Sequence, residues 1–270
     1  MKSEKIISRD NSLLKLARSV REGITTKYIF VEGLRLCEEA LRSRLSLEAV
    51  IVSEELAAKE KSASIIAALA DASKRTALVS EKLLESISYT KTPQGIIVLA
   101  ARPETSEQSF SARQKNSLIV IMHRLNNPVN AGAILRTAEA AGATGAIATQ
   151  QTADPFSPKA LRGAMGSAFR LPVWFGPTYE EASSWCVQHD VQTICADVHA
   201  TTSYDEVDWS KPSALIVGPE SSGLSPEEIG AANVSVRIPM RGPAESLNVA
   251  VATGVLLYEA ARQRQNFGVR

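Results

Sequence analysis

Cysteine, histidine and long apolar runs are scarce in this chain of 270 residues, and each shortage excludes a class of protein. The three cysteines are odd in number and lack the paired spacing of metal ligands, so neither a disulfide framework nor a zinc site is predicted. The three histidines form no H-E-x-x-H pattern, so we expect no bound metal. No G-x-G-x-x-G pattern follows a predicted strand, which disfavours an ordinary dinucleotide-binding enzyme.

Apolar runs long enough to cross a bilayer are also missing. None approaches the roughly 18 residues that a membrane span needs, and the segment MKSEKIISRDNS carries charges where a secretion signal would be apolar. We therefore expect a cytoplasmic protein without a membrane partner. The hydrophobic fraction of 44% and the charged fraction of 22% are typical of a folded globular chain, and the length favours two domains.

Positive charge is concentrated at the start of the chain, although the formal net charge is only +1. Residues 1–27 contain seven lysines and arginines against three acidic residues, a local excess of four. The segment SRDNSLLKLARSVREG has apolar residues at helical spacing, which predicts a helix with Lys15 and Arg18 on a polar side. Together with Arg9, these side chains are candidate contacts for nucleic-acid phosphates, and a solvated helix face is the alternative.

Strand and helix patterns alternate along the chain and predict an α/β protein. Up to about Ala101 they form a compact unit, and the polar segment 103–116 is typical of a linker. The rest contains six apolar runs that predict strands buried on both faces, as in a parallel sheet covered by helices: SLIVIMH, ATGAIAT, LPVWF, VQTICADV, SALIVG and NVSVRIP. We therefore predict domains at 1–102 and 117–270, with ligand sites at the carboxyl ends of the strands.

The first of three loops at strand ends has the sequence HRLNNPVNAGAILRTAEAAG. Asn127 is placed to cap a helix, with Pro128 in the first helical position. Taken alone, Asn130 is a residue of the helix start, and Arg136 is a surface residue that pairs with Glu139 three positions later.

The second loop, in LIVGPESSGLSPEE, follows a buried strand and leads to a capping box that predicts a helix beginning at Ser225. Gly218 and Gly223 permit the backbone to approach a ligand closely. Glu220 lies between them, and a solvated turn residue is its alternative interpretation.

The third loop, in VRIPMRGPAESLNVAVATG, delivers the chain to a helix that is apolar on almost every side, which predicts that the helix is buried. Ser246 is the predicted N-cap, and Asn248 would then lie in the first turn. A rigid helix start with free N–H groups suits a binding site.

Taken together and in this order, NPVNAGAILRTA, LIVGPESSGLS and IPMRGPAESLNVAVA resemble the three motifs of the SpoU family of RNA ribose methyltransferases, also called TrmH. Residues 8–100, with SRDNSLLKLAR, FVEGLRLCEEAL and KTPQGIIVLA, resemble the L30e-like substrate-binding domain that precedes the catalytic domain in many members. The resemblance therefore extends over nearly the whole chain.

This resemblance implies a SPOUT-type catalytic domain with a trefoil knot, in a homodimer whose active site lies at the subunit interface. It implies S-adenosylmethionine as cofactor and RNA as substrate. The implied catalytic residues are Asn130, Arg136, Glu220, Ser246 and Asn248. The implied cofactor contacts are Gly218, Pro219, Glu220, Gly223, Ile238, Met240, Ser246 and Leu247, and Pro219 departs from many members because it lacks an N–H donor. Arg9, Lys15 and Arg18 become candidate RNA contacts.

The chemistry that the resemblance implies is methylation of a ribose 2′-hydroxyl, and fold-level analogy favours large-subunit ribosomal RNA. A guanidinium stays protonated above pH 12, so we expect Arg136 to bind a phosphate and polarise the hydroxyl instead of acting as a base. Transfer RNA is the alternative substrate. A knotted enzyme that methylates a base nitrogen, and a non-catalytic RNA-binding protein, are the alternative functions.

Overall fold

A computed structural model describes residues 4–111 and 116–265 of the chain. The described residues form two compact units. The first contains those up to Pro103 together with Phe156–Phe169, and the second contains those of Glu104–Pro155 and from Arg170 onward. Among the described residues, no helix is both long enough and apolar enough to cross a membrane.

Strands and helices alternate in both units. The strands are β1 (Glu4–Ile6), β2 (Tyr28–Glu32), β3 (Leu47–Ser53), β4 (Ser73–Val79), β5 (Ile96–Ala101), β6 (Leu118–Met122), β7 (Gly145–Ala148), β8 (Val173–Phe175), β9 (Gln192–Ala196), β10 (Thr202–Ser203), β11 (Ser213–Val217) and β12 (Val234–Arg237). The helices are α1 (Ser12–Arg21), α2 (Leu34–Arg42), α3 (Glu54–Ala57), α4 (Glu60–Ala72), α5 (Glu81–Ile87), α6 (Glu107–Ser111), α7 (Pro128–Ala140), α8 (Pro158–Ala164), α9 (Ser167–Arg170), α10 (Tyr179–Gln188), α11 (Pro226–Gly230) and α12 (Val249–Gln265).

The first unit is built on a five-stranded mixed sheet of order β1-β4-β3-β5-β2. Strands β1, β4 and β3 are parallel, and β5 is antiparallel to both of its neighbours. Helix α1 begins where Asn11 accepts a hydrogen bond from the amide of Leu13, and the chain turns away at Gly23 with φ of 74°. Its apolar side packs into the core of this unit, which confirms the helix predicted at the start of the chain.

The second unit is built on a seven-stranded sheet of order β10-β12-β9-β11-β6-β7-β8, in which every pairing is parallel. All six strands predicted for this part of the chain are present, and β10 is an addition of two residues. Each residue of β6 and β11 is buried, because both strands lie inside the sheet and are covered on their faces. The predicted fold class, a parallel sheet preceded by a smaller α/β domain, is confirmed.

Part of the segment predicted as a linker belongs to the core of the second unit. Helix α6 lies within residues 103–116, and its Phe110 is fully buried against Trp174 and Trp185. The indole nitrogen of Trp185 also donates to the hydroxyl of Ser111, at 2.7 Å. The division of the chain at 1–102, 103–116 and 117–270 stays a prediction.

Candidate active site

The three loops emerge from the carboxyl edge of the parallel sheet. They follow β6, β11 and β12, and β6 pairs directly with β11. Parallel strands end at one edge, so loops that are far apart in sequence are brought together there. Helices α7 and α12, which follow the first and third loops, also pack against each other.

Three predicted site residues, one from each loop, form a hydrogen-bonded cluster. The side-chain amide of Asn130 donates to Glu220 Oε1 at 3.0 Å. Asn248 Nδ2 donates to Asn130 Oδ1 at 3.4 Å, so Asn130 joins the other two side chains. An amide suits this position because it donates to a carboxylate and accepts from a second amide at the same time.

The start of α12 differs from the prediction. Asn248 accepts hydrogen bonds from the amides of Ala250, at 2.9 Å, and Val251, at 3.4 Å, so it is the N-cap instead of Ser246. The helix begins at Val249, and Ser246 lies exposed in the preceding loop. Asn248 therefore caps the helix and also joins the cluster. Its position in the sequence alone did not show that it has both roles.

Arg136 lies apart from this cluster. It is exposed on α7, and among the described residues it has no hydrogen-bond or ion-pair partner. Its predicted alternative partner, Glu139, binds Arg170 instead, with a shortest distance of 2.6 Å. Six residues of helix separate Arg136 from Asn130 by about 9 Å and about 120° of rotation. Arg136 instead shares a helix side with Val129, which is 43% exposed.

The second loop is compact. Gly218 is packed so closely that an added Cβ would lie 2.9 Å from the side chain of Leu224. Gly223 adopts a φ of 65° and donates its amide to the carbonyl of Pro219 at 3.0 Å. Glu220 is exposed at the tip of the loop, where its carboxylate reaches Asn130.

The third loop offers free main-chain groups. Within the part of the chain that the structure describes, residues 238–247 make no main-chain hydrogen bond. Ile238 and Met240 are half-buried, and Ser246 and Leu247 are exposed. A row of unpaired N–H and C=O groups beside apolar side chains suits a ligand with both a base and an amino-acid end. The donor set therefore fits S-adenosylmethionine.

A buried polar network supports the second loop, and the sequence reasoning missed it. Glu228 accepts from His123 Nε2 at 3.0 Å and from Arg124 Nη2 at 2.8 Å. His123 is 5% exposed, and its burial lowers its pKa below the usual value of 6.5 although Glu228 opposes the shift. A signal was present, because a His-Arg pair directly follows an apolar strand and Glu228 is the acidic residue of the capping box.

The candidate RNA contacts lie together in the first unit. Arg9 and Lys15 are exposed and Arg18 is half-buried. Arg18 Nη2 donates to the carbonyl of Arg9 at 2.5 Å, and Lys15 lies 3.3 Å from a carboxylate oxygen of Asp10. Two guanidinium groups and one ammonium group thus stand within one helix and the turn before it.

Comparison with known proteins assigns the family. A model described as the SpoU rRNA Methylase family matches residues 117–258, and one described as the MRM3-like substrate binding domain matches residues 12–98. The chain therefore belongs to the SpoU rRNA methylase family, and the resemblance predicted from its three motifs is confirmed.

Two relatives have names that state a reaction. The 23S rRNA (guanosine(2553)-2′-O)-methyltransferase RlmP of Bacillus subtilis is 30% identical over 246 residues, covering 90% of this chain and 92% of the relative. A 23S rRNA (uridine(2479)-2′-O)-methyltransferase of Streptomyces viridochromogenes is 32% identical over 193 residues, covering 70% of this chain and 67% of the relative.

Solved structures share the fold over almost the whole chain. An RNA 2′-O ribose methyltransferase superposes with a TM-score of 0.81 at 34% identity, covering 97% of this chain and 100% of that one. An rRNA methyltransferase from Sinorhizobium meliloti with bound AdoMet superposes with a TM-score of 0.82 at 30% identity, covering 96% and 98%.

Proposed function

We propose that this protein is an S-adenosylmethionine-dependent RNA methyltransferase that methylates a ribose 2′-hydroxyl in large-subunit ribosomal RNA. The observation that carries the proposal is the cluster of Asn130, Glu220 and Asn248, to which three separate loops contribute. Relatives named as 23S rRNA 2′-O-methyltransferases support the choice of ribose and of ribosomal RNA.

The second and third loops hold the cofactor. Its contacts are Gly218, Pro219, Glu220, Gly223, Ile238, Met240, Ser246 and Leu247. S-adenosylmethionine supplies an electrophilic methyl group on a positively charged sulfur. The compact second loop provides a fixed wall, and the unpaired main-chain groups of 238–247 provide the donors and acceptors.

Arg136 binds the phosphate beside the target ribose and polarises the hydroxyl. Its guanidinium offers a planar pair of N–H donors and stays charged, so the proton leaves to phosphate or water instead of to Arg136. Glu220 orients the ligand groups, and Asn130, Ser246 and Asn248 hold the ribose and the cofactor. These roles need the hydroxyl aligned behind the methyl carbon in a site that excludes water.

The active site is completed at the interface of a homodimer. Apolar side chains stay exposed on α7 and α12 in one subunit: Val129 is 43%, Val251 54% and Tyr258 56% exposed. The prediction that α12 is buried does not hold in the single chain, because Val251 is exposed and only Thr253, Leu256 and Leu257 of its first nine residues are buried. A second subunit would cover the exposed apolar side chains, and it would bring its Arg136 face toward the cluster.

The remaining parts of the proposal rest on the family resemblance for the knot, and on the charge distribution and the lack of long apolar runs for the RNA contacts and the location. The second unit is threaded as a trefoil knot, and the first unit binds RNA through Arg9, Lys15 and Arg18. The protein acts in the cytoplasm. No metal has a step in this scheme.

The position of the transferred methyl group tests the reaction. Purified protein is given S-adenosylmethionine with a tritiated methyl group and, in separate reactions, ribosomal RNA or transfer RNA from cells that lack the protein, and the RNA is digested to nucleosides. The label should elute with a 2′-O-methylated nucleoside. A label on a base would support the base-nitrogen alternative, labelled transfer RNA alone would exclude the ribosomal target, and cofactor binding without transfer would indicate a non-catalytic protein.

Subunit mixing tests the composite site. Arg136→Lys and Asn248→Ala chains with different tags are co-expressed, and the mixed dimer is isolated. If Arg136 and Asn248 come from different subunits, one site of the mixed dimer has both intact and activity returns to about half of wild type, one of two sites. An inactive mixed dimer would indicate that both residues of each site come from the same chain.

The substitution Val251→Glu tests the interface itself. A Val251→Glu variant that stays dimeric would exclude this interface.

A further inference from the structure

His123 connects both ends of the second loop, because its main-chain amide holds the start and its imidazole, together with Arg124, binds the carboxylate at the end. We propose that Glu228 is a positioning residue that, with these two, fixes the cofactor-binding loop 218–224 before any ligand arrives. This inference rests on the proposed function of the loop. It assigns a role to a carboxylate that none of the three motifs accounts for.

The loop starts at a main-chain contact. The amide of His123 donates to the carbonyl of Val217 at 2.9 Å, directly before Gly218. This bond extends the pairing of β6 and β11 by one step beyond the strands. The first residue of the loop therefore leaves the sheet from a fixed point.

The loop ends at the carboxylate of Glu228. The amide of Ser225 donates to Glu228 Oε2 at 2.8 Å, and the amide of Glu228 donates to Ser225 Oγ at 3.2 Å, which completes a capping box. The same carboxylate accepts from His123 and twice from Arg124, at 2.8 Å and 2.9 Å. One side chain thus joins the end of the loop to the residues at its start.

The donors of this network are held in place as well. His123 Nδ1 lies 2.9 Å from Thr149 Oγ1, and the imidazole packs edge-on against Tyr179 with ring centroids 4.8 Å apart. The hydroxyl of Tyr179 donates to the carbonyl of Glu228 at 2.9 Å. Burial raises the pKa of Tyr179 to about 12, so this hydroxyl remains a donor at physiological pH.

Within this network as the structure describes it, Arg124 has an unfavourable backbone conformation and an unpaired side-chain nitrogen. Arg124 has a φ of 51°, a left-handed conformation that is unfavourable for a residue with a Cβ. Its Nε is buried without a partner among the described residues. Such costs persist only where surrounding contacts enforce them, and they concentrate at functional sites. The network therefore does more than stabilise the fold, which a less strained arrangement would also achieve.

The network keeps the second loop ordered before the cofactor binds. Glu220 and the main-chain groups of the loop lie between two anchors, the bond of the His123 amide to Val217 and the carboxylate of Glu228, and His123 contacts both. Without that carboxylate, the end of the loop is released while β11 and β6 remain paired. The loop must then be ordered by the cofactor, and the cost of ordering appears as weaker binding.

The test compares Glu228→Ala with Glu227→Ala. Both variants remove one negative charge from the first turn of α11, but Glu227 is exposed and makes no contact with His123 or Arg124. Binding of S-adenosylmethionine is measured by calorimetry in the intact protein. We expect the Kd to rise about tenfold for Glu228→Ala and to change less than about twofold for Glu227→Ala. Glu228→Gln keeps an acceptor for Ser225, so its Kd should lie between these values.

Hydrogen exchange of the ligand-free protein gives a second readout that a loss of stability alone would not produce. The hydrogen-bonded amides of Gly223 and Ser225 should exchange about tenfold faster in Glu228→Ala, while those of β7 keep the wild-type rate. If Glu228→Ala does not fold, Arg124→Gln replaces it, because this side chain is 37% exposed.

Two outcomes separate the two proposals. Wild-type protein that does not bind S-adenosylmethionine would overturn the proposed function. Wild-type protein that binds, together with folded variants that bind equally well and exchange at the wild-type rate, would overturn only the positioning role of Glu228.

Discussion

The surface of the first unit and the carboxyl edge of the second unit use charged side chains differently. In the first unit, acidic and basic side chains pair on the surface, as in Lys5 with Glu54 at 2.8 Å and Lys59 with Glu55 at 2.7 Å. At the carboxyl edge of the second unit, Glu220 and Glu228 are bound instead by amide, imidazole and guanidinium groups of other loops. The exposed ion pairs of the first unit therefore contribute little one by one, whereas charge at this edge acts through individually placed groups.

Single substitutions should therefore have unequal effects in the two units. Exposed ion pairs contribute about 0 to 1 kcal/mol each, because water screens them and long side chains lose freedom on pairing. A buried polar group that loses its partner costs about 1 to 3 kcal/mol. Four experiments test this contrast, in order of decreasing expected effect.

The largest effect is expected for Arg136→Lys. Lysine keeps the positive charge but lacks the planar fork, so turnover should fall by about 100-fold or more while cofactor binding stays at the wild-type level. Turnover is measured with saturating RNA and labelled cofactor, and binding by calorimetry. Wild-type turnover would remove Arg136 from the proposed mechanism.

The next effect concerns stability. Arg264 donates to the carbonyls of Trp209 at 2.8 Å and Ser117 at 3.0 Å, and also to those of Asn116 and Lys211. Arg264→Ala should lower the free energy of unfolding by about 2 to 4 kcal/mol, because these carbonyls lose a charged donor.

Arg42→Ala in the first unit is the matched control. Arg42 is 65% exposed and pairs with Glu38 and Glu39, so its loss should cost less than about 1 kcal/mol. Both variants are compared by urea unfolding. Equal losses would contradict the contrast between the two units.

A smaller effect is expected for RNA affinity. A triple variant, Arg9→Gln, Lys15→Gln and Arg18→Gln, should weaken RNA binding by about 30-fold at low salt and make the salt dependence shallower, because fewer counterions are released. Turnover at saturating RNA should stay at the wild-type level. Unchanged binding with the wild-type salt slope would assign the RNA contacts to another surface.

The smallest effect should appear in the pH dependence of stability. Burial holds the pKa of His123 below its usual value in the folded protein, so the unfolded chain binds a proton more readily. The stabilisation is therefore present above pH 6.5 and is lost as the pH falls toward the folded pKa. Arg124 adds to the lowering, whereas Glu228 and Glu180 oppose it.

The corresponding measurement is urea unfolding at pH 7.5 and 5.5 in wild type and in His123→Gln. Wild type should lose more stability than the variant over this interval, and an equal or smaller loss would contradict the assignment. The stability of the first unit is an internal reference for this pH interval, because residues 1–103 and 156–169 contain no histidine that would titrate.

Much of this architecture could be read from local sequence patterns. Six apolar runs predicted the strands of the parallel sheet, and the rule that ligand sites lie at carboxyl ends brought together the loops of Asn130, Glu220 and Asn248. Strand β1 was not predicted, because three residues with two charges give no hydrophobic pattern. Helix α6 was assigned to a linker, because its one buried aromatic residue, Phe110, gives no helical period.

Other features depend on contacts that local patterns do not encode. Ser246 and Asn248 are both good caps, and only the position of α12 against α7 selects Asn248. The contact between His123 and Glu228 joins residues 105 positions apart, and neither residue belongs to a motif that would pair them. The role proposed for Arg136 depends on a second chain, which a single sequence does not display.

The pairing of β6 with β11 also determines when the site can form. Leu118 pairs with Ser213, so the centre of the sheet closes only after a long intervening stretch has been synthesised and ordered. Contacts between distant positions make folding slow, because chain entropy is lost before the pairing compensates for it. A nascent chain that has emerged only through β9 carries Asn130 but lacks the strand that places Glu220 beside it. The pocket can therefore form only after β11 has been synthesised.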